Sequence, residues 1–190
     1  MPINPVGLWA SSYESTWKDV FAAAQGKGFD GTKATQDAWA KWNDSNANKL
    51  QCIPPLTPPT PLSGKTTEKA FAPLVFPNPG KPPDAARIIA TAWQAWASAI
   101  TWVPCPPGPP FSSVVSVITD PASVSNAYSS LMSGLIAEFA KVPANDAAVP
   151  AKYQAIGQLF QTAAISLQVK FIGFGIGSPP PPLAVSVPVF

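Results

Sequence analysis

The sequence predicts a mainly α-helical protein, in which about five helices are joined by extended proline-rich segments. Two observations lead to this fold class. Apolar residues recur at helical spacing in five places along the 190 residues. The chain also contains 25 prolines, about 13% against a usual ~5%, and most stand in runs that cannot be helical. Such runs favour the polyproline II conformation, which leaves its carbonyl groups free for partners.

The first two predicted helices precede residue 51. The first runs from about residue 12 to residue 25, and aromatic residues recur there every four positions: Trp9, Tyr13, Trp17 and Phe21. The second runs from about residue 32 to Leu50 and is polar apart from a thin apolar stripe that includes Trp39 and Trp42. Because this helix has no broad apolar face, the sequence leaves a core position and an interface position open for both tryptophans.

Three further helices are predicted in the second half of the chain. The third, from Asp84 to about Trp102, has the broadest apolar face, and Asp84 is expected to cap it. The fourth opens at Asp120-Pro121, because aspartate is a good N-cap and proline suits the first helical position. The fifth starts near residue 146 or 150 and ends before Gly173.

Four proline-rich segments lie between or after the predicted helices, at residues 53–61, 76–83, 103–110 and 178–182. Two helices share an order in which a tryptophan pair is followed by a cysteine and then by two proline doublets. The last proline run suits a third copy that lacks tryptophan and cysteine. This order predicts a helix-plus-polyproline unit that repeats two or three times, with a coincidence of biased composition as the alternative.

The same patterns divide the chain into two parts. Residues 1–63 are predicted to form an N-terminal helical unit with the first proline arm, and residues 64–190 a helical core with proline connectors and an extended tail; one domain overall is the alternative. Residues 183–190 alternate weakly and predict a short edge strand, because Pro188 could not donate within a central strand. Deleting residues 183–190 is therefore expected to leave the fold intact and to impair assembly.

Charge excludes several classes of function. The formal net charge is only +2 and Arg87 is the single arginine, which argues against a nucleic-acid partner. The chain has no histidine, the commonest general base and metal ligand, so no catalytic residue, cofactor or metal is predicted. Residues 88–119 and 171–190 carry no charge at all, which indicates surface that a neighbouring subunit covers.

Two glycine-containing segments resemble nucleotide-binding motifs only in part. Residues 63–67 end like a phosphate-binding loop, but Pro59 stands where the first glycine is required. Residues 173–177 place their third glycine one position early, and prolines follow where a helix should begin. The two cysteines, Cys52 and Cys105, leave two alternatives open: a disulfide that forms late, or two buried free thiols.

The compartment is predicted from what the first residues lack. No basic segment precedes an apolar run, so synthesis in the cytosol without a signal peptide is expected. The longest uncharged helical window falls short of the ~20 apolar residues of a membrane span, so a membrane location is not favoured.

The chain resembles, in overall character, the small virion structural proteins of tailed bacteriophages. The resemblance lies in Ala- and Trp-rich helices punctuated by segments such as Pro106 to Phe111, and it extends over the whole chain without a diagnostic motif. It implies a non-enzymatic structural subunit of a tail, neck, baseplate or capsid. Such a subunit packs against other structural proteins of the same particle in multiple copies, and its final location is the virion.

The residues expected to contact neighbours are Trp39, Trp42, Trp102, Phe111, Val185, Val187 and Phe190. Three other functions compete with the structural one. A carbohydrate- or peptide-binding module would use the Trp39–Trp42 pair, and a membrane-associated protein would use the helix from Ile88 to Trp102. An enzyme would need carboxylates drawn from distant parts of the chain.

Overall fold

The computed structural model describes Gln36 and residues 50–66, 81–141 and 149–189. These residues form three helices and one antiparallel sheet of six strands, which lie side by side in chain order. The prediction of a mainly α-helical protein is therefore wrong, and so is the interpretation as an all-α protein: the fold is mixed, and the sheet is a continuous, curled layer.

The strands are β1 (Leu50–Cys52), β2 (Leu62–Lys65), β3 (Thr101–Trp102), β4 (Phe111–Thr119), β5 (Gln168–Gly175) and β6 (Pro182–Pro188). The helices are α1 (Pro82–Ser98), α2 (Pro121–Ala140) and α3 (Val149–Ile165). Helix α1 connects β2 to β3, and the pair α2–α3 connects β4 to β5.

The third, fourth and fifth predicted helices are confirmed as α1, α2 and α3. The cap of α1 is Lys81, and Asp84 lies inside its first turn, so the predicted cap is wrong. Helix α1 also ends at Ser98, because the chain becomes extended before Pro104. At α2 the prediction holds: Asp120 is the N-cap, and its side chain accepts a hydrogen bond from the Ala122 N–H.

The first predicted helix lies outside the described residues. Within the second, Gln36 is helical, but Leu50 belongs to β1 and not to the end of a helix. The predicted boundary between residues 63 and 64 falls inside β2, a strand in which both residues pair with β1.

One apolar core fills the space between the helices and the inner face of the sheet. Trp93 and Trp96 of α1 are completely buried, with ring centroids 6.4 Å apart. Trp102 of β3 is also buried, and its indole N–H donates to the Thr119 hydroxyl across 3.1 Å. The tryptophan spacing on α1 therefore marks the centre of the core.

The sheet curls into a half-barrel. An isolated bridge between Cys52 and Val189 brings the first strand against the end of the last. β6 pairs along its length with β5 alone, so the predicted C-terminal edge strand is confirmed. The backbone N–H and C=O groups of its odd-numbered residues bond to β5, as the bond from the Val189 N–H to the Leu167 carbonyl shows. The backbone groups of the alternate residues point to the open edge of the sheet: Pro182, Ala184, Ser186 and Pro188.

Candidate functional site

The candidate site is the end of the sheet where three proline-rich loops meet. Because all neighbouring strands are antiparallel, β1, β3 and β5 run in one direction and β2, β4 and β6 in the other. The loops β1–β2, β3–β4 and β5–β6 consequently lie at one end of the sheet, and the helical connections lie at the other. We call residues 53–61, 103–110 and 176–181 the proline rim.

This arrangement corrects the predicted role of the prolines. The sequence assigns them to extended arms between helices, but each of these three runs joins two paired strands in a hairpin. Each loop also contains one cis X–Pro peptide bond: Thr57–Pro58, Pro109–Pro110 and Ser178–Pro179.

The three loops form one continuous surface. The Thr57 N–H of the first loop donates to the Pro109 carbonyl of the second across 3.1 Å. The Ile176 N–H of the third loop donates to the Pro110 carbonyl across 3.2 Å. The middle loop therefore contacts both of its neighbours, so a partner that docks on this end would meet all three loops together.

The surface of the proline rim is apolar and uncharged. Thirteen of its 23 residues are proline and none is acidic or basic. The first residue of each loop is a β-branched apolar residue whose side chain is open to solvent: Ile53 at 49%, Val103 at 47% and Ile176 at 65% exposure. Since proline fixes φ, such loops lose little conformational freedom when they bind.

A second apolar area adjoins the rim on the outer face of the sheet. Val115, Ile118 and Phe174 are exposed there, on strands β4 and β5. Lys170 is the single charged residue of these two strands. The uncharged surface therefore extends from the rim along the outer face as far as Lys170, which is paired with Ile118.

The predicted interface residues fall into three groups. Trp102 and Phe111 are buried, at 8% and 1% exposure, within the core of the chain itself. Val185 and Val187 are half-buried and pack against the same core. The core thus accounts for the apolar character of these four residues. The other three lie outside the described residues: Trp39, Trp42 and Phe190.

The exposed apolar side chains of the rim were missed by sequence reasoning. Their signal is positional, because Ile53, Val103 and Ile176 each follow a buried strand and precede a proline run by at most three residues. Without the strands that signal cannot be recognised.

Cys52 and Cys105 are both free thiols in the structure, not a disulfide. Cys52 is buried at the end of β1, whereas Cys105 is half-buried in the middle loop of the rim. Burial, and to a smaller extent the neighbouring Cys105, raise the pKa of Cys52 to about 12. Burial also raises the pKa of Cys105. Both thiols are therefore poor nucleophiles at neutral pH.

We expect iodoacetamide at pH 8 to alkylate Cys105 well before Cys52, because only the thiolate reacts and Cys52 is the more buried. A Cys105→Ser variant leaves Cys52 as the only thiol, and its labelling should then follow global unfolding. Peptide mass spectrometry over time measures both rates. Equal labelling of the two thiols in the folded protein would contradict this assignment.

The raised pKa of Cys52 also predicts how stability depends on pH. Its unfolded value is near 9.0 and its folded value is about 12, so the folded state holds the proton more tightly. The stability from this group is complete below pH 9 and is lost as pH rises toward 12. A Cys52→Ala variant should show a flatter decline in unfolding free energy over that range.

A groove of about 530 Å³ lies between α2 and α3. Its lining is mainly apolar surface, with polar side chains such as Asn126, Ser130 and Thr162 among its residues. Asp120 is its single carboxylate, and that group already caps α2. Within the described part of the chain, no group of three or more Cys, Asp or Glu side chains could hold a metal ion.

The two glycine-containing motifs are parts of strands. Residues 63–65 belong to β2, and Gly173 and Gly175 belong to β5. A strand at these positions differs from the glycine-rich loop at the start of a helix that phosphate binding requires. Among the helices that the structure describes, none is both long enough and apolar enough to cross a bilayer.

No known protein family matches this chain, and no curated protein or solved structure is detectably similar to it. The resemblance to virion proteins therefore stays a prediction, and a virion location has no support from these comparisons.

Proposed function

We propose that this protein is a non-catalytic structural subunit that assembles with further copies of itself through the proline rim. The observation that carries the proposal is the meeting of three stiff, uncharged loops at one end of the sheet, each with an exposed aliphatic residue at its start. Exposed apolar surface that is contiguous and free of charge is typical of protein interfaces.

The distribution of charge supports this choice of surface. Charged residues of the described part lie on the helices and at their ends, or at strand positions outside the loops, such as Lys65 and Lys170. Among the described residues, the three loops of the rim are therefore the part of the sheet's connections that carries no charge. The core of an interface is depleted of charge, because a charge buried there must be desolvated.

A second copy is the partner that fits this surface best. The rim offers no charge that could select an oppositely charged partner. Interfaces between permanently associated copies are the most apolar class and resemble a domain core cut in half. Because prolines fix the loops in advance, association would cost less conformational entropy than it would for flexible loops.

The test introduces charge at the first residue of each loop. We expect the wild-type chain to exceed its monomer mass of 19.9 kDa in size-exclusion light scattering, in a concentration-dependent way. The triple variant Ile53→Lys, Val103→Lys and Ile176→Lys should be monomeric, because each lysine would have to be desolvated in the interface. Its thermal melt should stay close to that of wild type, since these side chains are exposed.

A matched control adds the same three charges on helices α2 and α3, outside the rim: Ala137→Lys, Ala140→Lys and Ala151→Lys, all at exposed positions. This control should assemble as wild type does. A wild-type chain that stays monomeric at every concentration would overturn the proposal, and so would a loss of assembly in both triple variants.

A further inference from the structure

The groove between α2 and α3 has a charged end and an apolar end. Asp120 and Gln168 line it beside the sheet, where β4 ends and β5 begins. Leu131 and Leu159 line it further along the helices. Because Ser123 and Leu131 both line it, the groove follows α2 for about 12 Å. Its shape therefore suits a ligand with one polar end and one apolar end.

The apolar end is closed because α2 and α3 touch there. A Cβ atom on Gly134 would lie 2.5 Å from Leu159 Cδ2, so the Leu159 side chain packs directly against the backbone of α2. Ala127 and Ala163, both buried, form the floor between the two ends. A short aliphatic chain can cover this apolar surface, and removing it from water is favourable.

The other end of the groove attracts a cation. Within the described part of the chain, Asp120 is the single charged residue of the lining. Its Oδ1 atom accepts from the Ala122 N–H across 3.2 Å, whereas an ionised carboxylate can accept about four hydrogen bonds. The Ser123 hydroxyl is already used, since it donates to the Asp120 carbonyl and accepts from the Gln168 N–H. An ammonium group, with three donors and a positive charge, matches the unused acceptors of Asp120.

We infer that the groove binds a small primary amine with an aliphatic tail, with the ammonium on the Asp120 carboxylate and the tail over Ala127 and Ala163 toward Leu131. An aliphatic anion does not fit, because it would meet the carboxylate. A diamine does not fit either, because its second charge would lie at the closed apolar end. The groove begins at the end of β4 opposite the proline rim, so this inference is independent of the proposed function.

The experiment titrates the full ¹⁵N-labelled chain with hexylamine and follows its amide signals by NMR. We expect saturable shifts for residues of α2 and α3 that line the groove, such as Asn126 and Thr162. Butylamine should bind about fivefold more weakly, because it buries less apolar surface. Hexan-1-ol has the same tail without the charge and should also bind about fivefold more weakly, and hexanoate should not bind.

Two variants test the two ends of the ligand separately. Asp120→Asn removes the charge and keeps a good N-cap, so α2 should remain folded. This variant should bind hexylamine about fivefold more weakly and hexan-1-ol as wild type does. Thr162→Phe should obstruct the groove for both compounds, whereas Gln154→Phe, at an exposed position of α3 outside the groove, should affect neither.

Equal affinities of the wild-type chain for hexylamine and hexan-1-ol would overturn the inference. Shifts centred outside the groove, or hexylamine shifts that do not saturate, would also overturn it. These comparisons on the wild-type chain decide the outcome even if Asp120→Asn fails to fold.

Discussion

Removal of residues 183–190 is expected to abolish cooperative folding. These residues include most of β6, which pairs with β5 over seven positions from Gln168–Pro188 to Phe174–Pro182. Val185 and Val187 pack against the core, and Val189 is buried at 3% exposure. Without them, one side of β5 and part of the core face water. We expect a loss of about 5 kcal/mol or more, which is comparable with the whole stability of many domains.

Circular dichroism with urea titration measures this outcome. Two substituted full-length chains provide the control. Asparagine at the inward positions Val185 and Val187 should destabilise strongly, because polar groups would enter the core. Asparagine at the outward positions Ala184 and Ser186 should change the free energy of unfolding by less than about 1 kcal/mol. A truncated chain with a sharp, wild-type melt would show instead that β6 is a dispensable arm, as the sequence alone predicts.

Substitution of Gly173 by alanine is the second change with a large expected effect. A Cβ atom at this position would lie 2.1 Å from the Ser113 carbonyl oxygen and 3.0 Å from the Phe111 ring. The first obstacle is backbone, so a side-chain rotation cannot relieve it. Strands β4 and β5 would have to separate, which disturbs the long antiparallel pairing between them. We expect a cost of about 3 kcal/mol or more.

Gly108→Ala is the matched control for this prediction. A Cβ atom there would meet its nearest neighbour, the Thr57 carbonyl oxygen, at an ordinary 3.7 Å. Its effect on the free energy of unfolding should stay within about 0.5 kcal/mol. Urea titration of both variants compares them directly. Similar stabilities of the Gly173 and Gly108 variants would mean that β4 and β5 are less tightly apposed than the structure shows.

Local signals in the sequence predicted the helices and failed for the sheet. Asp120-Pro121 fixes the start of α2, because a cap and a first-turn proline act within one helical turn. The strands depend on partners far along the chain, and two of them, β1 and β3, have only three and two residues. Strands this short have too few residues to show the alternation of apolar and polar residues that predicts a strand. Where β5 lies, the sequence predicts the end of the fifth helix or the turn beyond it, because the glycines of β5 obscure its alternation.

The candidate site, too, could be predicted only in part from the sequence. The proline runs were evident, but their meeting at one end of the molecule depends on strand order, which composition cannot reveal. Trp102 and Phe111 illustrate the reverse error. Large apolar residues in an uncharged stretch suit a partner surface or a core equally well, and the structure places both in the core.

The edge strand β6 has a consequence for aggregation. Two of its four outward-facing positions, Pro182 and Pro188, have no N–H. The open edge therefore presents N–H donors only at Ala184 and Ser186, too few to template another strand firmly. This proline placement protects a chain with little charge from fibril growth by edge-to-edge polymerisation. The self-association that we propose would then be confined to the contacts of the proline rim.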